Sequence, residues 1–169
     1  MKFTFVPEYK FDTFDQVTAE FLTSIGVKTL LLDVDNTLEP YEHPTPGDHV
    51  IRWLDSLRAA GITTAIISNN NQARLDLFNK DIGMYGISRS GKPFPFSLTK
   101  AMKALGAEKG STAFLGDQIL TDVWAAHNVG IKAILVPPIN DRPDPLTKIK
   151  RIIEIPIQRK YDRIHKEDK

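Results

Sequence analysis

Short apolar segments of strand length alternate with longer amphipathic segments along most of this chain, and this alternation limits the possible folds more than any other feature. The apolar segments are Thr29 to Val34, Ile62 to Ile67, the very short Gly86 to Ile87, Thr112 to Leu115 and Lys132 to Val136. Strands separated by helices pair in parallel through crossover connections. Because helices then cover both faces of the sheet, the pattern predicts a three-layer α/β/α sandwich around a parallel sheet.

The segments between these strands carry apolar residues at helical spacing. An N-terminal helix is predicted over residues 12–26 from the positions Phe14, Val17, Phe21, Leu22 and Ile25. Further helices are predicted from Val50 to Gly61, after the sequence SNNNQ, from Phe96 to Leu105 and from Thr121 to Asn128. We expect residues 1–145 to form one α/β domain on which the N-terminal helix packs, and residues 146–169 to form a basic C-terminal helix or tail.

Composition excludes several classes of function. The chain of 169 residues contains no cysteine, so disulfides and thiolate catalysis are impossible. A net charge of +1 argues against nucleic acid as a partner. The N-terminal sequence MKFTFVPEYKF lacks the features of a secretory signal, so a cytoplasmic location is the default expectation.

Residues capable of chemistry are concentrated directly after the predicted strands. In chain order they are Asp33, Asp35 and Thr37, then Ser68, Asn69 and Asn70, then Lys92, and finally Asp117 and Asp122. Each of them alone has an ordinary structural explanation, such as a turn or a helix cap. Together they fall at the edge of the sheet where open parallel α/β proteins bind ligands, which predicts a functional site there.

The pair Asp33 and Asp35 indicates a divalent cation. Two carboxylates one residue apart at the end of an apolar strand repel each other and resist burial. Mg²⁺ prefers oxygen ligands and binds through one or two carboxylates together with substrate phosphate. Asp33 and Asp117 can supply those carboxylates, and the backbone carbonyl of Asp35 a third oxygen. The cationic Lys92 and the donors near it then describe a seat for a phosphoryl group; these donors are Thr37, Ser68 and Asn69.

The motif order DVDNT, SNN, GKP and GDQILTD, between about Lys28 and Val136, resembles that of the haloacid dehalogenase-like (HAD) phosphatase superfamily. The resemblance implies a Rossmann-like HAD fold and Mg²⁺-dependent hydrolysis of phosphomonoesters through an aspartyl-phosphate. By this resemblance Asp33 is the nucleophile, and Asp35 is the general acid and then the general base. Ser68 and Lys92 hold the transferring phosphoryl group. Asp117 binds the metal, and Asp122 either joins it or orients its ligands.

The segments LLDVDNTL, ISNNNQAR, GKPFPFSLTKAM and GDQILTDV are more closely similar to subfamily IIIA, in its YqeG-like branch. That branch resembles the mitochondrial phosphatidylglycerophosphate phosphatases. Residues 38–49 and 71–90 leave no room for a cap domain, so we expect an open site that suits a phosphate on something large. The resemblance and the basic residues after 145 together favour phosphatidylglycerophosphate, with peripheral contact at the inner face of the membrane. These residues are Lys148, Lys150, Arg151, Arg159, Lys160 and Arg163.

Alternatives remain open at this point. The substrate could instead be a soluble small-molecule phosphate or a phosphoprotein, and another subunit could cover the site. A non-enzymatic reading is a phospho-receiver module, but its phosphorylated aspartate ends the middle strand, whereas the corresponding AIIS ends in Ser68. A second non-enzymatic reading is a scaffold that keeps the fold as a binding platform.

Overall fold

The computed structural model describes residues 5–140, 154–157 and 159–164. Its centre is a six-stranded sheet in which all neighbouring strands are parallel, in the order β1-β6-β5-β2-β3-β4. The strands are β1 Tyr9–Lys10, β2 Thr29–Leu32, β3 Thr63–Ile67, β4 Tyr85–Ile87, β5 Thr112–Gly116 and β6 Lys132–Leu135. The predicted strands are therefore confirmed, and β1 is an additional one.

Within residues 5–140, five α-helices cover the sheet, and residues of β2 point alternately to its two faces. The helices are α1 Ala19–Ser24, α2 Asp48–Ala59, α3 Gln72–Asn79, α4 Phe96–Leu105 and α5 Trp124–Val129. Leu30 and Leu32 join a core with residues of α1, α2 and α3. Leu31 joins a second core with residues of α4 and α5. This arrangement is the predicted three-layer α/β/α sandwich.

The N-terminal segment differs from the prediction. Residues 12–26 do not form one helix: a 3₁₀ turn at Phe14–Gln16 precedes α1. Thr18 separates the two, because its extended backbone ends one segment and its hydroxyl accepts a hydrogen bond from the N–H of Phe21 as the N-cap of α1. The prediction failed because apolar spacing continues across a capping residue.

No cap domain is inserted within residues 5–140. After β2 the chain runs through a loop directly into α2, and after β3 it passes through α3 directly into β4. In the part of the chain that the structure describes, no helix has the length and apolar character needed to span a bilayer. Most of the predicted C-terminal segment, including Lys148, Lys150 and Arg151, lies outside the described residues; residues 154–157 and 159–164 are helical.

Candidate active site

Three buried carboxylates meet at the carboxyl edge of the sheet. Asp33 follows β2 and Asp117 follows β5. Asp122 lies in a short π-helical turn, Ile119–Val123. Each offers an oxygen, and these three oxygens lie within 4.8 Å of one another. The adjacent positions of β2 and β5 in the sheet bring the first two carboxylates together, although 84 residues separate them in sequence, from 33 to 117.

Lys92 is the cation of this acidic group. Its Nζ lies 2.6 Å from Oδ1 of Asp33 and 2.9 Å from Oδ1 of Asp122, and its side chain is buried. The lysine reaches the group from the loop that follows β4. One ammonium therefore faces three buried acidic side chains and contacts two of them, so the group is short of positive charge.

Burial shifts the pKa values of this group, and its excess negative charge adds to the shifts of the carboxyl groups. Burial raises the pKa of Asp33 to about 6; the positive charge of Lys92 opposes the rise, and the negative charge of Asp122 adds to it. Burial also raises the pKa of Asp117 well above its usual range, and Asp122 and Asp33 act in the same direction. Burial alone would lower the pKa of Lys92, but the two carboxylates beside it raise it above its ordinary value. An unbalanced cluster of hard oxygen atoms fits a divalent cation such as Mg²⁺.

This charge arrangement predicts a pH dependence of stability in metal-free protein. Because the pKa of Asp33 is raised from 3.8 to about 6 by folding, its stabilising contribution is complete below pH 3.8 and is lost as the pH rises through 6. In EDTA, we expect the melting temperature of the wild type to fall relative to that of Asp33→Asn as the pH rises from 3.8 to about 6. If the difference between the two melting temperatures stayed constant from pH 3.8 to about 6, folding would not raise the pKa of Asp33.

Gly116 allows the close approach of Asp122. A Cβ at position 116 would lie 2.5 Å from Cβ, Cγ and Oδ2 of Asp122, closer than side chains tolerate. Oδ2 of Asp122 also accepts hydrogen bonds from the N–H groups of Asp117 and Gln118, at 3.2 and 3.0 Å, so the side chain cannot move away freely. The missing side chain at position 116 thus leaves the space that Asp122 occupies in the acidic group.

We therefore expect Gly116→Ala to lower the free energy of unfolding by about 1–3 kcal/mol, the usual cost of overpacking. It should also weaken divalent-metal binding, because Asp122 must shift. Gly110→Ala is the matched control, since nothing lies within 4 Å of the Cβ that it would add. Chemical denaturation would measure the stabilities, and equal stability of the two variants would contradict the packing argument.

The side chain of Asp35 is held by Arg74 and Asn70. Its Oδ1 lies 3.0 Å from Nε and 2.9 Å from Nη2 of Arg74, and its Oδ2 accepts a hydrogen bond from Nδ2 of Asn70 at 3.1 Å. In the sequence-based metal set of Asp33, Asp35 and Asp117, Asp35 enters only through its backbone carbonyl, and Asp122 either joins the set or orients its ligands. In the structure a carboxylate oxygen of Asp122 lies within 4.8 Å of those of Asp33 and Asp117.

The remaining predicted residues are close to these groups but already engaged. The hydroxyl of Thr37 lies between Asp33 and Asp117, at 3.1 and 3.2 Å from their oxygens. Ser68 is buried at the end of β3, and its Oγ accepts a hydrogen bond from the N–H of Asn70.

Asn69 holds the loop that carries Lys92. Its Oδ1 accepts hydrogen bonds from the hydroxyl of Ser90 at 2.7 Å and from the N–H of Lys92 at 2.9 Å. Its Nδ2 lies 3.4 Å from the carbonyl of Lys92. The side chain that sequence reasoning assigned to phosphate is therefore engaged in positioning the lysine.

Arg74 is a site residue that sequence reasoning missed. It is the third residue of α3, where the helix dipole disfavours a cation. That unfavourable placement could have predicted an acidic partner, because a nearby anion stabilises an arginine in the first turn of a helix. The pairing with Asp35, 39 positions away, supplies it.

Comparison with known proteins identifies the class to which this site belongs. The family model of the haloacid dehalogenase-like hydrolases matches residues 10–136. The chain is 30% identical over 154 residues to a Bacillus subtilis (strain 168) protein named "Probable phosphatase YqeG", a match that covers 91% of this chain and 90% of the relative. It is 26% identical over 152 residues to an acid sugar phosphatase of Staphylococcus epidermidis, covering 76% of this chain and 58% of that protein.

A solved structure has the same fold. The 3-deoxy-D-manno-octulosonate 8-phosphate phosphatase of Moraxella catarrhalis, solved with magnesium, phosphate and a sugar acid, superposes with a TM-score of 0.51 at 18% identity. The superposition covers 89% of this chain and 98% of that one. The chain belongs to the haloacid dehalogenase-like hydrolase family, and it is an enzyme of the phosphatase class. Within that class, the Bacillus subtilis protein named "Probable phosphatase YqeG" is a relative that it matches over nearly its whole length.

Proposed function

We propose that this enzyme hydrolyses phosphomonoesters through a phosphorylated intermediate on Asp33, with Mg²⁺ as its cofactor. The observation that carries the proposal is the buried group of Asp33, Asp117 and Asp122 around Lys92 at the carboxyl edge of the sheet. A carboxylate nucleophile splits one difficult displacement into two easier ones. The resemblance to the haloacid dehalogenase-like phosphatases assigns the nucleophile to Asp33, which follows strand β2.

The metal site would be formed by the carboxylates of Asp33 and Asp117, with the backbone carbonyl of Asp35. Asp122 either joins them or orients them through its hydrogen bonds to the backbone of Asp117 and Gln118. When bound, Mg²⁺ offsets the repulsion between the carboxylates and withdraws negative charge from the phosphoryl oxygens.

In the first step an oxygen of Asp33 attacks phosphorus, and the bond from phosphorus to the ester oxygen breaks. Asp35 gives its proton to the departing alkoxide. In the second step Asp35 takes a proton from water, the water oxygen attacks phosphorus, and inorganic phosphate leaves with Asp33 regenerated. Arg74 and Asn70 orient the Asp35 carboxylate for both transfers.

Lys92 and Ser68 hold the transferring phosphoryl group. The ammonium of Lys92 already contacts Asp33 and Asp122, so it is positioned to neutralise charge on the phosphoryl oxygens during transfer. Thr37 contributes its hydroxyl between Asp33 and Asp117, and Asn69 acts by holding the backbone of Lys92. A phosphatase assay with an aryl phosphate and Mg²⁺ tests the proposal; undiminished activity in excess EDTA would contradict it.

For the substrate we propose a phosphate displayed at a membrane surface, with phosphatidylglycerophosphate as the leading candidate. Two aromatic side chains near Lys92 support this, because Phe94 and Phe96 are 64% and 76% exposed beside an uncapped site. The helical residues Arg159, Lys160 and Arg163 are also exposed and can attract anionic headgroups. The similarity to sugar-phosphate phosphatases favours a second candidate, a soluble sugar phosphate.

Neutralising these three basic residues tests the membrane proposal. Replacing Arg159, Lys160 and Arg163 by Gln should weaken binding to anionic vesicles by up to about 10²-fold, at about 1 kcal/mol per charge. Activity on phosphatidylglycerophosphate in those vesicles should fall with it, and hydrolysis of a soluble aryl phosphate should not. The matched control replaces Arg52 and Arg58 of α2 and Lys80 at the end of α3, which are also exposed. These helices pack on the face of the sheet opposite to α4 and α5. Efficient turnover of a sugar phosphate with no action on the lipid would select the second candidate.

A further inference from the structure

A carboxylate from the C-terminal segment reaches into the loop that carries two of the site's acids. Glu154 is only 7% exposed, although it lies on a short described helical stretch, residues 154–157. Its Oε1 accepts hydrogen bonds from the backbone N–H groups of Ile119 and Leu120, at 2.9 and 3.3 Å. A buried glutamate is costly unless it is hydrogen-bonded, so this contact is a specific part of the fold.

The two N–H groups that Glu154 binds belong to the backbone segment between Asp117 and Asp122. Ile119 and Leu120 lie between Asp117 and Asp122, at the start of the π-helical turn, where backbone donors have no partner within the helix. Asp122 accepts from the N–H groups of Asp117 and Gln118, and Glu154 accepts from the next two. Four consecutive backbone donors are thus held by two carboxylates, one from inside the loop and one from outside it.

We propose that Glu154 is a positioning residue for the metal site: it fixes the backbone between Asp117 and Asp122 so that both carboxylates converge with Asp33. The inference rests on the proposed metal-dependent function. It makes the helical stretch 154–157 part of the active-site structure. Ile157 attaches this stretch to the domain, because it packs against the core on the α4 and α5 face. Asp162, in the helical stretch 159–164, has its carboxylate 3.9 Å from Nζ of Lys10.

Removal of the Glu154 carboxylate should weaken metal binding, and it should slow the chemical steps much less. We expect Glu154→Ala to raise the Mg²⁺ concentration for half-maximal activity by about 10- to 100-fold, as the loss of groups that orient metal ligands commonly does. The kcat at saturating Mg²⁺ should stay within about twofold of the wild type, because no reacting group is removed. Mn²⁺ binding followed by electron paramagnetic resonance, without substrate, should show the same loss of affinity.

Glu108→Ala is the matched control, because it makes the same chemical change at an exposed position and should leave Mn²⁺ affinity unchanged. Glu154→Gln keeps one acceptor oxygen and should retain most of the affinity, and it also serves if the alanine variant does not fold. The inference is overturned if Glu154→Ala lowers the melting temperature and binds Mn²⁺ as tightly as the wild type. It is equally overturned if Glu154→Gln is as impaired in Mn²⁺ affinity as Glu154→Ala. A wild-type enzyme that neither binds Mn²⁺ nor needs a metal would instead refute the proposed function itself.

Discussion

Asp33→Asn is expected to abolish phosphatase activity while the fold remains intact. The amide cannot attack phosphorus, and loss of a covalent nucleophile in other enzymes costs on the order of 10⁶-fold in turnover. The substitution keeps the shape of the side chain and removes one of three mutually repelling buried charges. Lys92 keeps Asp122 as a partner at 2.9 Å, so no buried ammonium is left without an anion.

Activity on an aryl phosphate, together with circular dichroism and melting temperature, would measure these effects. Asp55→Asn is the matched control, because it makes the same chemical change at an exposed position of α2. It should keep wild-type activity. Full activity of Asp33→Asn would eliminate this residue as the nucleophile.

Asp35→Asn is expected to lower kcat/KM much more for substrates with poor leaving groups than for substrates with activated ones. General acid catalysis typically contributes about 10²- to 10⁴-fold, so kcat/KM for alkyl phosphates should fall by that amount. An activated nitrophenyl leaving group needs no proton, and its kcat/KM, which reports only the steps through its release, should change little. Its kcat should nevertheless fall, because hydrolysis of the intermediate still lacks a base.

The series of leaving groups is its own control, since one variant is compared across substrates at one pH. Equal losses in kcat/KM for alkyl and nitrophenyl phosphates would contradict the role of Asp35 as general acid. Such a result would leave it as a group that orients Arg74 and Asn70, which it contacts at 2.9 to 3.1 Å.

The fold was predictable to the extent that strands and helices carry apolar periodicity. Strands β2, β3 and β5 each contain a buried, continuous apolar run, at residues 30–32, 65–67 and 113–115, as a sheet covered on both faces requires. The edge strand β1 has only two residues, and it is defined by pairing with β6 rather than by any pattern of its own. Pairing between distant segments leaves no local signal in a two-residue strand.

Convergence of the site was predictable from the strand ends, but its finer contacts were not. Parallel pairing of β2 with β5 brings Asp33 towards Asp117 without any knowledge of side chains. The rotation of Asp35 towards Arg74 depends on where α3 packs, and the contact of Glu154 depends on a segment 35 residues further along the chain. Those are tertiary placements, and a single sequence contains only indirect signs of them.

Trapping the phosphorylated enzyme tests the central claim most directly. Asp35→Asn mixed with nitrophenyl phosphate and Mg²⁺, then quenched in acid within the first turnover, should carry a single phosphoryl group that hydroxylamine removes. Peptide mass spectrometry should place it on Asp33, formed at the rate of the initial burst of nitrophenol. A phosphoryl group on any other residue, or a nitrophenol burst with no phosphorylated enzyme, would contradict the account.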